Sequence, residues 1–461
     1  MVVLLLLLFV MALLLYLGYP ATRAGMALAV LLYWGALCLA YGHIIQPLFA
    51  YAGFELQIDA FGITASLLLL LASSLFLPKA LRNPSDFFLQ LWYLLAYVPL
   101  LVLFALAGAD GAYILLVSLC FGLLSLSRRF LPRVGMPAIK GGKRIGLLLS
   151  IGISLFCYGV LIYASGLRLN LSFAEVYGYR SQYTESIRGV PLIGYVVDWQ
   201  GYVINPTLFG LGLMRRRLGL LLLALALQIL LFSITGLKSF FLAPLLIAAM
   251  LYLAHKPRKS GMTLALGSGA LVGLSSLAYL LLDNVWPLSM LIRRLLLLPA
   301  RIQLVYYDFF SRHAKALLSH SVLSWFFSYP YEAPPSGLIA QVMDPTKTGG
   351  ANTGFLADAY ANFGIGGMLA FALLLALMLH FLDGLALNRG LVGALLPVCL
   401  PLFALLNSPL LTTLMTHGLL YGLLMSSLWP VQKSPRRASS KERASLPISP
   451  SHSQAQEEPC T

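Results

Sequence analysis

The chain has 461 residues, of which 59% are hydrophobic and only 10% are charged, and its mean hydropathy is +0.86. Soluble domains carry about 25% charged residues, so this composition excludes an ordinary soluble protein and indicates an integral membrane protein. The net charge of +15 and pI near 9.6 would by themselves also fit a nucleic-acid-binding protein.

Apolar runs long enough to cross a bilayer recur along the chain, since about 20 apolar residues in a helix span a hydrocarbon core roughly 30 Å thick. We count thirteen such runs and predict an all-α, polytopic helical bundle over residues 1–429. No Lys or Arg precedes the first run and no clear cleavage site follows it, so we interpret it as a retained helix rather than a signal peptide. The predicted spans are 2–19, 24–42, 61–78, 88–107, 111–126, 145–165, 196–214, 218–235, 239–254, 263–282, 363–382, 390–406 and 409–429.

The connections between these runs alternate in charge. Those on one side carry 21 of the 31 basic residues and five acidic ones, a balance of +16 against −1 for the other side. By the positive-inside rule the basic side is cytoplasmic, which places the N-terminus outside and the C-terminus inside. The alternation explains the basic pI, and no nucleic-acid partner is expected.

Two external connections are substantial, residues 166–195 and 283–362, and a compact active site would have to form where they meet. Residues 430–461 are rich in Ser, Pro and charge and lack a periodic apolar pattern, so a disordered cytoplasmic tail is predicted.

The first external loop contains Tyr177, Arg180 and Arg188. Tyrosines can stack on sugar faces and guanidinium groups suit phosphate, whereas a solvated loop with interfacial tyrosines is the alternative. The span that follows has a polar outer half at 198–206, which predicts a cavity wall. Lys238, in a tight external turn, either reaches the outer interface or points into an anion site.

The large external loop carries Arg294, Arg301 and Asp308 at seven-residue spacing, which places them on roughly one helical face. Pro299 predicts two helical segments, the second starting near it, with Arg301 in a first turn whose unpaired amides attract anions. An amphipathic helix in the membrane interface is the alternative. Arg293, Arg294 and Arg301 nevertheless cluster on the side that is poor in positive charge, which favours a local anionic ligand.

Aromatic residues including Tyr307 follow, and Asn352, Asp358 and Tyr360 precede the helix predicted from residue 363. These polar side chains either cap that helix and fill its loop or bind a ligand at its start. His313 and His320 have no third ligand at metal spacing and the chain has no DxD pattern, so neither a catalytic metal nor a cofactor is expected.

Several motifs, in their order along the chain, resemble the bacterial O-antigen polymerase (oligosaccharide repeat-unit polymerase, Wzy) family over roughly residues 145–385. They are Glu175-Val176-Tyr177-Gly178-Tyr179-Arg180 followed by Trp199…Asn205-Pro206, Thr235-Gly236-Leu237-Lys238-Ser239, Arg293-Arg294…Pro299…Tyr307-Asp308-Phe309-Phe310, and Asn352-Thr353-Gly354-Phe355…Phe363-Gly364-Ile365-Gly366.

The resemblance implies a bacterial inner-membrane glycosyltransferase of the C-type architecture with external amphipathic helices. The growing glycan would leave its undecaprenyl pyrophosphate at the periplasmic face and join a sugar hydroxyl of a new lipid-linked unit. The implied partners are undecaprenyl-pyrophosphate-linked glycans and membrane lipid, with a chain-length regulator and a flippase as further candidates.

Candidate site residues follow from the residue chemistry and this resemblance together. The catalytic candidates are Arg301, Arg294, Arg180 and Asp308. The substrate-binding candidates are Arg188, Arg293, Lys238, Tyr177, Tyr307, Asn352, Asp358 and Tyr360. Arginines can stabilise a pyrophosphate leaving group without a metal, and the general base stays open among Glu175, Asp198, Asp308, Asp358 and His313.

Two other functions share parts of this pattern. An O-antigen ligase would use the same donor with a lipid A-core acceptor. A lipid-linked oligosaccharide flippase or other transporter would place charges at the midplane or in repeat-related broken helices, whereas here the charges gather at one face.

Overall fold

The computed structural model describes residues 22–130, 132–137, 139–165, 183–187, 189–346 and 349–430, together with scattered positions between 3 and 16. Within these ranges the chain is helical without a β-strand, which confirms the predicted all-α class. The α-helices are α1 Arg23–Ala40, α2 Gln46–Phe49, α3 Ala60–Ser74, α4 Pro84–Trp92, α5 Val98–Leu106, α6 Gly111–Phe130, α7 Gly142–Ser165, α8 Ile193–Trp199, α9 Asn205–Arg215, α10 Leu218–Thr235, α11 Lys238–His255, α12 Ser260–Leu282, α13 Val285–Pro287, α14 Leu298–Arg312, α15 Pro335–Met343, α16 Phe355–Leu395, α17 Cys399–Ala404, α18 Leu410–Met415 and α19 Leu419–Leu428.

Eight helical runs in the described part of the chain are long and apolar enough to cross a membrane, and they cover nine of the predicted spans. Shorter apolar helices, α3 and α19, lie where two more were predicted. The segment predicted as the span 196–214 is helical but polar in its outer half, and the span 2–19 falls largely outside the described residues. The chain is therefore a polytopic helical membrane protein.

The longest run, Phe355–Ala404, is interrupted at two glycines with non-helical backbone. Gly390 (φ 73°) turns the chain between the spans predicted at 363–382 and 390–406. Gly364 (φ 64°) separates the span predicted at 363–382 from a preceding helical segment, 355–362, whose residues are all buried. Asp358 and Tyr360 therefore lie in a buried helical segment, and the prediction that they occupy a loop before a helix starting at 363 is wrong.

Connections predicted to lie on the same side of the membrane contact each other. On the side predicted to be external, Gln57 N donates to Leu106 O at 2.8 Å. On the side predicted to be cytoplasmic, Leu81 N donates to Pro257 O at 2.9 Å. Buried Arg389 donates there to Met136 O of another connection and to Ser427 O near the end of α19. The grouping agrees with the alternation of charge, and we call these two sides the outer end and the inner end.

The large external loop begins with one continuous helical run, 285–312, in which Leu288–Leu297 is π-helical. The hydrogen-bond pattern changes at Leu298, one residue before Pro299, but Leu298 N still donates to Arg293 O. The chain therefore enters α14 without a helix terminus. The prediction that Arg301 lies in a first turn with unpaired amides is wrong, because the wide π-turns accommodate the proline without ending the helix.

Candidate active site

Described residues line two cavities at the outer end. The arginine cavity, of about 800 Å³, is lined by Arg301 and its surroundings, including Tyr41, Gly53, Phe54, Glu55, Asp110, Tyr307 and Asp308. The histidine cavity, of about 620 Å³, is lined by residues including Tyr183, Thr184, Ile187, Asp198, Tyr202, Asn352, Asn407, Ser408 and His417.

The histidine cavity forms where the two substantial external loops meet. Tyr183, Thr184 and Ile187 come from the first loop, and Asn352 comes from the second. Burial raises the pKa of the Tyr183 hydroxyl, and the nearby Asp198 carboxylate raises it further. This cavity therefore occupies the place at which the sequence predicts a compact active site.

A chain of three polar side chains crosses this cavity. The His417 ring lies with Nδ1 3.2 Å from Asp198 Oδ2, and Ser408 Oγ lies 3.0 Å from Nε2 on the other side of the ring. Because the carboxylate can only accept a hydrogen bond, the neutral imidazole carries its proton on Nδ1 and leaves Nε2 free to accept one. Such a ring is oriented as a general base towards the position that Ser408 Oγ occupies.

His417 lines the cavity at a turn of the backbone between two short helices. Gly418 (φ 75°) follows it and separates α18 from α19 within the span predicted at 409–429. A Cβ atom at Gly418 would lie 2.9 Å from Trp199 Cδ1, so only glycine allows this close approach. Trp199 Nε1 donates to Met415 O at 2.7 Å and ties α8 to the same turn.

The wall that carries Asp198 is built from buried polar side chains. Gln200 Nε2 donates to Asn205 Oδ1 at 2.7 Å, and Asn205 Nδ2 donates to Tyr158 Oη at 2.9 Å. Ser154 Oγ donates to Gln200 Oε1 at 3.0 Å and joins α7 to this network. The structure thus agrees with the prediction that the outer half of this span faces protein and a cavity rather than lipid.

The side chain of Arg301, which belongs to α14, packs against the turn that follows the second predicted span. Its guanidinium is 5.8 Å from the centre of the Phe54 ring, and a Cβ atom at Gly53 would overlap it. Partial burial lowers the pKa of Arg301, whereas Tyr41 and Glu55 act in the opposite direction.

The arginine cavity has an acidic lining. Glu55, Asp110 and Asp308 line it together with Arg301, the one cation of the described lining, and Asp308 also forms an exposed ion pair with Arg312 outside the cavity lining. An excess of carboxylates repels a pyrophosphate and suits neutral sugar hydroxyls, which donate hydrogen bonds to carboxylates.

Tyr307 connects this cavity to the buried helical segment of α16. Its ring centre lies 4.9 Å from that of Tyr113 and 4.7 Å from that of Tyr360. Burial raises the pKa of Tyr307, and Asp110 and Tyr360 add to the effect. On the other side of Tyr360, Lys315 Nζ lies 3.9 Å from the ring centre.

The remaining candidates are dispersed. Arg293 packs 4.3 Å from the centre of the Phe49 ring and donates to Ser289 Oγ at 2.9 Å, whereas Arg294 is exposed and lines neither cavity. Asp358 is 5% exposed, bonds with Asn362, and also lines neither cavity.

Lys238 begins α11 between Leu237 and Ser239, which both line the histidine cavity. Tyr177, Arg180 and Arg188 lie outside the described residues. The structure thus brings Arg301, Tyr307 and Asp308 together in one cavity and places Asn352 in the other.

Sequence reasoning included Asp198 among the possible bases but missed His417 and Ser408. The signal was a histidine and a glycine, His417-Gly418, inside an apparently uninterrupted apolar span. An ionisable side chain in the outer half of a span marks a functional site more often than an exposed one such as His313, which stacks on Phe309.

No group of three or more His, Cys, Asp or Glu side chains placed to hold a metal ion occurs within the part of the chain that the structure describes. Comparisons with protein-family models, with curated proteins and with solved structures gave no match.

Proposed function

We propose that the protein is a membrane glycosyltransferase that polymerises undecaprenyl-pyrophosphate-linked oligosaccharide repeat units at the periplasmic face of the bacterial inner membrane. The observation that carries the proposal is the Asp198–His417 pair, in a cavity lined by both external loops. The ordered motifs that resemble O-antigen polymerases support the substrate class. Thirteen spans, with the N-terminus outside and the C-terminus inside, are part of the proposal.

The acceptor is a sugar hydroxyl that takes the position of Ser408 Oγ beside His417 Nε2. His417 accepts the hydroxyl proton while the oxygen attacks the anomeric carbon of the donor glycan. The bond from that carbon to the pyrophosphate oxygen breaks, and the lipid pyrophosphate leaves with the electron pair. Asp198 stabilises the imidazolium that forms, so a single displacement needs no protein nucleophile.

The two cavities divide the substrate between them in this proposal. The pyrophosphate lies near the histidine cavity, where Lys238 stands between two lining residues and Arg180 and Arg188 belong to the adjoining loop. The arginine cavity, with its carboxylates and the Phe54 and Tyr307 rings, holds sugars of the glycan. Arg301 then contacts sugar oxygens rather than the leaving group.

The test is the polysaccharide ladder of a deletion strain that carries the gene or its variants. His417→Gln keeps a polar side chain but removes the base, so polymer formation should fall about a hundredfold to ten-thousandfold at matched protein level. His313→Gln is the matched control and should leave the ladder unchanged, because His313 is exposed and lines neither cavity.

Two outcomes contradict the proposal. A normal ladder from His417→Gln would show that His417 is not the general base of this site. Loss of core-attached polymer with persistence of lipid-linked polymer in the deletion strain identifies a ligase instead.

A further inference from the structure

An apolar slot opens at the inner end of the bundle, between the inner ends of α7, α9, α10 and α19. Its volume is about 370 Å³. The apolar part of its lining consists of Leu147, Val203, Ile204, Leu208, Leu211, Leu220, Met425 and Leu428. Gly142 and Gly146 bring α7 against Leu428 at one edge, where a Cβ atom at Gly142 would lie 3.0 Å from Leu428 O.

The mouth of this slot is basic. Lys143, Arg215 and Arg217 line it, and Arg144 lines an adjoining cavity that shares Lys143 and Trp429 with the slot. No acidic residue is among the lining residues of either cavity. All four cationic side chains are exposed, and none forms an ion pair with another described residue.

The arrangement of charged and apolar residues in the slot matches a lipid better than a soluble anion. The cations belong to connections predicted to be cytoplasmic, and the apolar lining extends from them into the membrane-spanning helices. Trp429 lies at the mouth, and tryptophan is typical of the membrane interface. Basic pockets between transmembrane helices on the cytoplasmic side suit anionic lipid head groups.

We propose that this slot binds an anionic phospholipid of the cytoplasmic leaflet, with its phosphate at Lys143, Arg215 and Arg217 and an acyl chain between α7, α9 and α19. The histidine cavity lies at the opposite end of the molecule, so the phosphate bound here is not the one that reacts. The inference is therefore independent of the proposed glycosyl transfer.

The experiment measures the binding of a fluorescent phosphatidylglycerol to the full-length protein in neutral detergent. Unlabelled phosphatidylglycerol should compete at least tenfold better than phosphatidylcholine or inorganic phosphate. Arg215→Gln/Arg217→Gln should weaken binding about thirtyfold, since each cation near a membrane surface contributes about a fivefold factor. Lys256→Gln/Arg258→Gln, which removes two cations of another inner connection, is the matched control and should change binding less than twofold.

A second variant tests the apolar half of the slot. Leu208→Phe fills part of it without altering charge and should also weaken phosphatidylglycerol binding. Elution of each variant as the same monodisperse species as the wild type establishes that it is folded. Unchanged binding in both slot variants, or competition by inorganic phosphate as strong as that by phosphatidylglycerol, overturns the proposal.

Discussion

At the scale of single residues, the two cavities show how surroundings change the meaning of a side chain. The sequence predicts Arg301 as a contact of the pyrophosphate, yet it lies among carboxylates and against the Phe54 ring. His417 belongs to none of the sequence motifs, yet it is held between Asp198 and Ser408 in a cavity. The type of a residue suggests its chemistry, whereas its neighbours determine which substrate group it can serve.

Asp198→Asn tests the orientation of the base. The asparagine keeps the size of the side chain but can hold the imidazole in the wrong tautomer and removes the charge that stabilises the imidazolium, so turnover should fall at least a hundredfold. The measurement is turnover of lipid-linked repeat unit by purified protein. Asp283→Asn, at an exposed carboxylate that lines neither cavity, is the control and should lose less than threefold. Equal losses in both variants would contradict the assigned role of Asp198.

Arg301→Ala distinguishes sugar binding from stabilisation of the leaving group. A contact with sugar oxygens in the arginine cavity predicts a higher KM with a nearly unchanged kcat, since such binding is shared by the ground state and the transition state. Arg301→Lys should recover part of the affinity, because the ammonium keeps the charge but not the planar donors. A loss of a hundredfold or more in kcat with unchanged KM would instead indicate that Arg301 contacts the pyrophosphate leaving group.

At the scale of elements, the sequence predicted most helices from their apolar runs, but it did not predict how they are interrupted. Pro299 is a strong signal for the end of a helix, and the structure passes through it because π-turns precede it. The segment 355–362 contains enough polar residues to suggest a loop, and tertiary packing buries it as a helix. Hydrogen-bond register and burial depend on neighbouring helices, which local sequence does not specify.

Gly364 tests the importance of the interruption in α16. Its backbone (φ 64°, ψ −148°) lies in a region that is essentially restricted to glycine, so Gly364→Ala should cost about 1–3 kcal/mol of stability. Gly366, two residues later, has helical backbone and open space around its Cα. Gly366→Ala is therefore the matched control and should be neutral or slightly stabilising. Thermal unfolding of the purified variants in detergent measures both, and equal melting temperatures would contradict the assigned strain.

At the scale of the whole molecule, the alternation of charge predicted which connections come together. The turns near residues 57 and 106 meet at one end, and those near 81 and 257 meet at the other. This part of the architecture could be predicted because charge in short connections reflects sidedness directly. The division of the outer end into two cavities could not, because it depends on packing between helices that are far apart in sequence.

The sidedness itself is tested by cysteine labelling in spheroplasts. On a background without native cysteines, Glu332→Cys at the outer end should react with a membrane-impermeant maleimide in intact spheroplasts. Arg258→Cys at the inner end should react only after permeabilisation. Both positions are exposed, so accessibility within the protein does not limit either reaction. The reverse pattern would invert the topology and place the histidine cavity in the cytoplasm.

The central claim is that His417 deprotonates an acceptor sugar in a polymerisation reaction, and reconstitution tests it most directly. Purified protein in liposomes is supplied with an undecaprenyl-pyrophosphate-linked repeat unit, and the length and rate of polymer formation are measured for the wild type, His417→Gln and His313→Gln. We expect polymer of increasing length and release of undecaprenyl pyrophosphate from the wild type and His313→Gln, with at least a hundredfold slower reaction for His417→Gln. Wild-type protein that forms no polymer from the unit, or equal rates for His417→Gln and the wild type, would contradict the account.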